Sequence, residues 1–126
     1  MVAAVAGASY EIGFGGSVAM QYAPDVAAAF VAAARSGFEG ALVCDLDGDV
    51  VSVAAIVAAI EAAEPRAAGR VTHAPDPLPF AAEADGSALR EAIGPLPRTA
   101  FPDAVADAVK RFRSLVDRGL VAPPRG

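Results

Sequence analysis

At 126 residues the chain has the length of one domain, or of part of one, and enough residues to bury a single core. Hydrophobic residues make up 55% of it and mean hydropathy is +0.44, yet its longest apolar run, Val26–Ala34, falls well short of the about 18 residues of a membrane-spanning helix. The net charge of −5 argues against a non-specific nucleic-acid binder, and the lone Cys44 excludes both an intramolecular disulfide and a cysteine-rich zinc site, which fits a reducing cytoplasm.

The segment Met1–Ala8 is small and apolar and reads as the tail of a helix. It has no basic region ahead of its short apolar part, so it is not read as a signal peptide. Tyr10–Phe14 alternates apolar and polar residues at the period of a half-buried strand. Gly15-Gly16 is a turn signal, and Ser17–Tyr22 reads as the returning strand of a hairpin. The run Gly13-Phe14-Gly15-Gly16 lacks the Lys-Ser/Thr of a phosphate loop and carries no G-x-G-x-x-G frame.

The stretch Gln21–Arg35 reads as a strand end, a Pro24-Asp25 corner and a helix. Asp25 is placed to accept hydrogen bonds from the first turn. Alanines at 27, 28, 29, 32, 33 and 34 leave a slim helix, expected to be buried on more than one side. Arg35-Ser36-Gly37 stops it. Ala41–Leu46 reads as a short strand carrying Cys44 as an inert core thiol. Asp45–Asp49 alternates aspartates, but Ile56 stands where a calcium loop needs glutamate, so a polar turn is expected.

Ser52 is the natural N-cap of a second helix whose stripe is Val53, Ile56, Val57 and Ile60, ended by Glu64-Pro65. Arg70–His73 reads as a short strand, and Ala74–Pro79 as an extended proline-rich segment. His73, the only histidine, has no second imidazole for a metal and no adjacent nucleophile, which leaves it a structural or solvent-facing role. Asp85-Gly86-Ser87 opens a short helix closed by Gly94-Pro95. Thr99 is placed to cap a last helix with the stripe Phe101, Val105, Ala108, Val109, Phe112, Leu115 and Val116, and with Gly119 beyond its end. The cations Lys110, Arg111, Arg113 and Arg118 suit the negative end of that helix and read as its solvated face.

These features add up to an α/β or α+β domain spanning 1–126. Three to four short strands form a small sheet beside three longer helices and one short one, with a loose tail over 120–126.

The succession also carries a resemblance. Phe14-Gly15-Gly16 leads to a strand and then to Tyr22-Ala23-Pro24-Asp25-Val26-Ala27. Next come Gly40–Leu46, the capped phrase Val51-Ser52-Val53, the stretch Leu78-Pro79-Phe80 and a last helix with Phe112-Arg113. In this order nearly the whole chain resembles the C-terminal, substrate-binding portion of NAD-dependent epimerases/dehydratases, the extended short-chain dehydrogenase/reductase family. The family's dinucleotide-binding half, with its glycine fingerprint, has no counterpart here. Nor does the catalytic Tyr-x-x-x-Lys, since Tyr10 is followed four residues later by Phe14 and Tyr22 by Val26. The only lysine is Lys110. No basic residue lies within Gly16–Gln21, where sugar-nucleotide epimerases often place a diphosphate-clamping arginine.

The resemblance therefore implies a truncated or detached substrate-binding region that is not catalytic alone, with no cofactor site in this chain and NAD or NADP bound by a missing half. It implies a small-molecule or sugar-nucleotide pocket walled by Phe14, Gly15, Gly16, Gln21 and Tyr22, with Leu78, Pro79 and Phe80 across from them. The alternative is a stand-alone α/β small-molecule-binding or dimerisation module, in which self-association covers the face that would meet the cofactor half. An independent enzyme of another class ranks last, because no paired His/Asp, nucleophile elbow or metal cluster can be written. No membrane or nucleic-acid partner is expected.

Overall fold

The fold was analysed in a computed structural model that describes residues 1–122. Helix α1 (Val2–Ala6) leads to strand β1 (Tyr10–Ile12), strand β2 (Ser17–Met20) and helix α2 (Ala23–Arg35). After an irregular stretch come β3 (Asp49–Ser52), α3 (Val53–Ala63), a 3-10 turn (Pro65–Ala67), β4 (Val71–His73), α4 (Ser87–Ile93) and α5 (Phe101–Asp117). The class is mixed α/β, with three longer helices and four short strands among the described residues. The strands fall into two separate pairs rather than one sheet: β1 runs parallel to β4, and β2 antiparallel to β3.

The expected hairpin of Tyr10–Phe14 with Ser17–Tyr22 does not form. The Tyr10 N–H donates to the Arg70 carbonyl, and the Ala74 N–H to that of Ile12, both at 2.9 Å. These bonds set the register Tyr10–Val71, Glu11–Thr72, Ile12–His73. Gly15-Gly16 carries the chain past Pro77 instead of folding it back. Gly16 takes a left-handed φ of 72°, and a Cβ there would lie 2.6 Å from the Pro77 Cβ. Its carbonyl accepts the Val53 N–H at 2.9 Å, which ties β2 to the start of α3.

The strand expected at Ala41–Leu46 is also absent, and residues 37–48 are irregular. β2 pairs a few residues further on, with Met20 opposite Asp49 and Ser17 opposite Ser52, so the apolar run before Asp49 has no partner. Val43 is fully exposed, and Cys44 is half-buried rather than a core thiol.

Helix α3 starts and stops as its residues dictate. Ser52 Oγ accepts the Ala55 N–H at 3.1 Å, and Pro65 follows the last turn. Val53, Ile56 and Ile60 form its buried stripe. Helix α5 buries Val105 and Val109 of its predicted stripe, and Gly119 follows it with φ 67°. Helix α1 packs across α5 and buries Ala3, Ala4 and Val5, so the N-terminal segment belongs to the core. Ala4, Val5, Ile56, Ile60, Val105 and Val109 join Ala67 and Val71 in one apolar cluster between α1, α3 and α5.

Helix α2 departs most from expectation. Only Ala29 is buried, while Phe30 is 74% exposed and Val31 is exposed beside it. An alanine surface suits close packing but does not require it, and among the described residues no element covers the outer face. Asp25 is not the N-cap. The helix begins two residues earlier, with Tyr22 at the cap position, Pro24 in the first turn and Asp25 inside that turn. Thr99 likewise caps nothing, because α5 opens after Ala100 without a side-chain cap. These two residues bond each other instead. The Thr99 N–H donates to Asp25 Oδ2 at 2.6 Å, and its hydroxyl donates to Oδ1 at 3.0 Å. Of the tail expected at 120–126, residues 123–126 lie outside the described residues.

Candidate functional site

The segment leaving β2, the first turn of α2, the turn before β3, and the stretch from α4 to α5 converge on one cleft of about 180 Å³. Its floor is apolar and includes Met20, Val26, Leu46, Phe101 and Val105, and Leu96 adds to the lining from the stretch after α4. Gln21, Tyr22, Asp25 and Thr99 stand on its wall, with two aspartates and two arginines at the rim.

Each polar group is held by a partner. Gln21 donates its amide to the Leu46 carbonyl, joining the α2 entry to the turn before β3. Tyr22 donates its hydroxyl to Asp107 on α5, and Arg111, one helical turn on, donates to the same carboxylate oxygen. The Tyr22 bond, followed by that of Arg111, holds the Asp107 carboxyl below the usual carboxylate range. The same contact pushes the Tyr22 phenol up, with Arg111 opposing it. At the rim Arg90 pairs with Asp47, and Arg98 pairs with Asp49 and lies 4.0 Å from Asp47. Asp49, and after it Asp47, pushes the Arg98 guanidinium up.

The residues that the family resemblance nominates divide between two places. Gln21 and Tyr22 line this cleft. Leu78 and Phe80 line a separate shallow groove with Ser17, Val18 and Ala19. Phe14, Gly15, Gly16 and Pro79 line neither. Gly15 is buried in a bridge to Pro77, and its N–H donates to the Asp76 carbonyl at 2.7 Å, so the glycines serve a backbone crossing.

Asp47, Asp49, Arg90 and Arg98 were not among the nominated residues. The alternating aspartates of Asp45–Asp49 were the signal for half of this cluster. Its cationic half follows about 40–50 residues later with nothing local to connect it.

Glu64, a helix stop in the sequence, is also a buried acid. The carboxylate is 2% exposed. Arg66 Nε donates to its Oε1 at 3.0 Å, and Arg113 of α5 donates to Oε2. The phrase Phe112-Arg113 thus anchors α5 to the end of α3 and stands apart from the cleft.

The glycine turn leads into a strand and not into a helix. A pyrophosphate is normally met by the free N–H groups of a helix that follows such a turn, whereas here strand β2 follows and Pro77 packs on Gly16. Among the described residues no cluster of His, Cys, Asp and Glu side chains is arranged to hold a metal ion, and no helix is long and apolar enough to cross a membrane. His73 is exposed, with Nδ1 2.8 Å from the Ala74 carbonyl oxygen. No protein-family model, curated protein or solved structure matches the chain.

Proposed function

We propose that the chain is a detached ligand-binding region of an epimerase/dehydratase-like protein, with the cleft at Gln21 and Tyr22 holding part of a small molecule such as a sugar nucleotide. The cleft itself carries this reading. It joins an apolar floor to convergent polar groups, the usual make-up of a ligand site. Its volume of about 180 Å³ is below the about 300 Å³ at the lower end of complete small-molecule pockets. One wall of a larger pocket has that size. On this reading a cofactor-binding half supplies the other wall along with NAD or NADP, and this chain alone transfers no hydride. The setting is the reducing cytoplasm.

The test is a titration of the purified chain with UDP- and dTDP-sugars, and with NAD and NADP in parallel, followed by amide NMR. Sugar nucleotides are expected to shift the amides of Gln21, Tyr22 and Thr99, and Gln21→Ala to weaken binding by about 5-fold or more, the loss of a hydrogen-bonded wall. The dinucleotides are expected to leave those amides in place. Sugar nucleotides that shift no cleft amide would remove the reading.

A second reading, a dimerisation module, is favoured by one observation. Phe30 and Val31 on α2, with Phe38, Leu42 and Val43 in the loop after it, are all exposed large apolar side chains. So much apolar surface in one stretch suits burial against a second copy of the chain.

A further inference from the structure

Residues 85–98 are attached to the rest of the fold in an unusual way. Helix α4 buries none of its residues fully, and Leu89, Ala92 and Ile93 are only half-buried, so apolar packing holds it weakly. Its specific ties are charges and one close backbone approach. Arg90 pairs with Asp47, Arg98 pairs with Asp49, and Gly86 sits so near Asp47 that a Cβ there would lie 2.9 Å from the Asp47 backbone nitrogen.

Both partners of these pairs line the cleft. Arg90, Pro97 and Arg98 are on one wall, and Asp47, Gly48 and Asp49 on another. The arginine side chains are 45% and 57% exposed, and the aspartates 28% and 31%. Exposed pairs of this kind shift an equilibrium by only about 1.5- to 5-fold each. Two of them together give at most about 25-fold, weak enough to open and strong enough to bias closure. The pairs are also within reach of added ions, since the screening length shrinks to about 3 Å at 1 M salt.

We infer that residues 85–98 form a strap across the cleft, closed by the Asp47–Arg90 and Asp49–Arg98 pairs, and that breaking those pairs opens the cleft. The inference rests on reading the cleft as a ligand site, but its test uses no ligand and separates the two.

Hydrogen exchange of the α4 amides is compared at 0.05 M and 1 M sodium chloride, in the native chain and in the double variant Arg90→Gln, Arg98→Gln. High salt is expected to speed exchange in residues 87–93 of the native chain by about 2- to 10-fold and to leave the amides of α3 and α5 unchanged. The double variant is expected to exchange fast at both salt concentrations. In a Cys44→Ser background, a cysteine placed at Ala104 on the cleft floor reports access through its labelling by a neutral thiol reagent. That rate is expected to rise in step with exchange. Salt-independent exchange in the native chain overturns the strap. So does an equal salt effect in the double variant, or a labelling rate that ignores salt.

Discussion

Glu64 shows how a single residue joins two parts of this fold. It ends α3 and is nearly inaccessible to water, so its charge is tolerated only because Arg113 and Arg66 meet both carboxylate oxygens. The Arg113→Met substitution keeps much of the side-chain volume and removes the deeper partner. It is expected to lower unfolding free energy by about 2–3 kcal/mol, below the about 3–5 kcal/mol typical of a fully orphaned buried charge, because Arg66 remains. Urea unfolding measures it, and an unchanged midpoint would show that the pair carries no net stability.

Asp107 makes a second prediction at this scale. Its folded pKa is lowered, first by the Tyr22 hydroxyl and then by Arg111. The contact therefore stabilises the fold above the ordinary carboxylate range, and the effect fades as pH falls through the folded value. Carboxyl-carbon NMR should show Asp107 titrating below an ordinary aspartate, and Tyr22→Phe should move its midpoint upward. An unmoved midpoint would show that the hydroxyl does not reach the carboxylate.

Among the elements, α3 is the plainest in physical terms. Ser52 satisfies a free N–H of the first turn, the stripe Val53, Ile56, Ile60 faces the core, and Pro65 forbids continuation. Ser52→Ala is expected to cost about 1 kcal/mol in thermal or urea unfolding. A loss near zero would mean that water replaces the cap.

Helices α3 and α5 were legible in the residues because stripe and stop signals agreed within each segment. The strands were not. Tyr10-Glu11-Ile12 shows the same alternation whether its partner is the next strand or β4, whose pairing residues begin at Val71. For α2 the pattern was ambiguous in another way, since alanine tolerates burial and exposure alike. The site divides along the same line. Gln21 and Tyr22 were nominated only through a resemblance of chain order. The pairs Asp47–Arg90 and Asp49–Arg98 join residues 43 and 49 apart, and in sequence such charges look like any solvated face.

At the scale of the whole molecule, the apolar material is unevenly spent. One cluster sits between α1, α3 and α5, while α2 and the loop after it carry large apolar side chains into solvent. If a second copy covers that face, sedimentation velocity should show dimer at tens of micromolar, and Phe30→Asp should return the chain to monomer without loss of stability. A native chain that stays monomeric at those concentrations would leave the face to a different partner.

The packing of α1 on α5 has a consequence for how the protein is made. Ala4 and Val5 precede Val105 and Val109, the α5 side chains of the same cluster, by about 100 residues. At roughly 5–20 residues per second, that gap is about 5–20 s. Over the later part of that interval Ile56, Ile60 and Val71 are made but lack the α5 side chains of their cluster, within reach of a chaperone at the ribosome. The cluster closes only once α5 has been made.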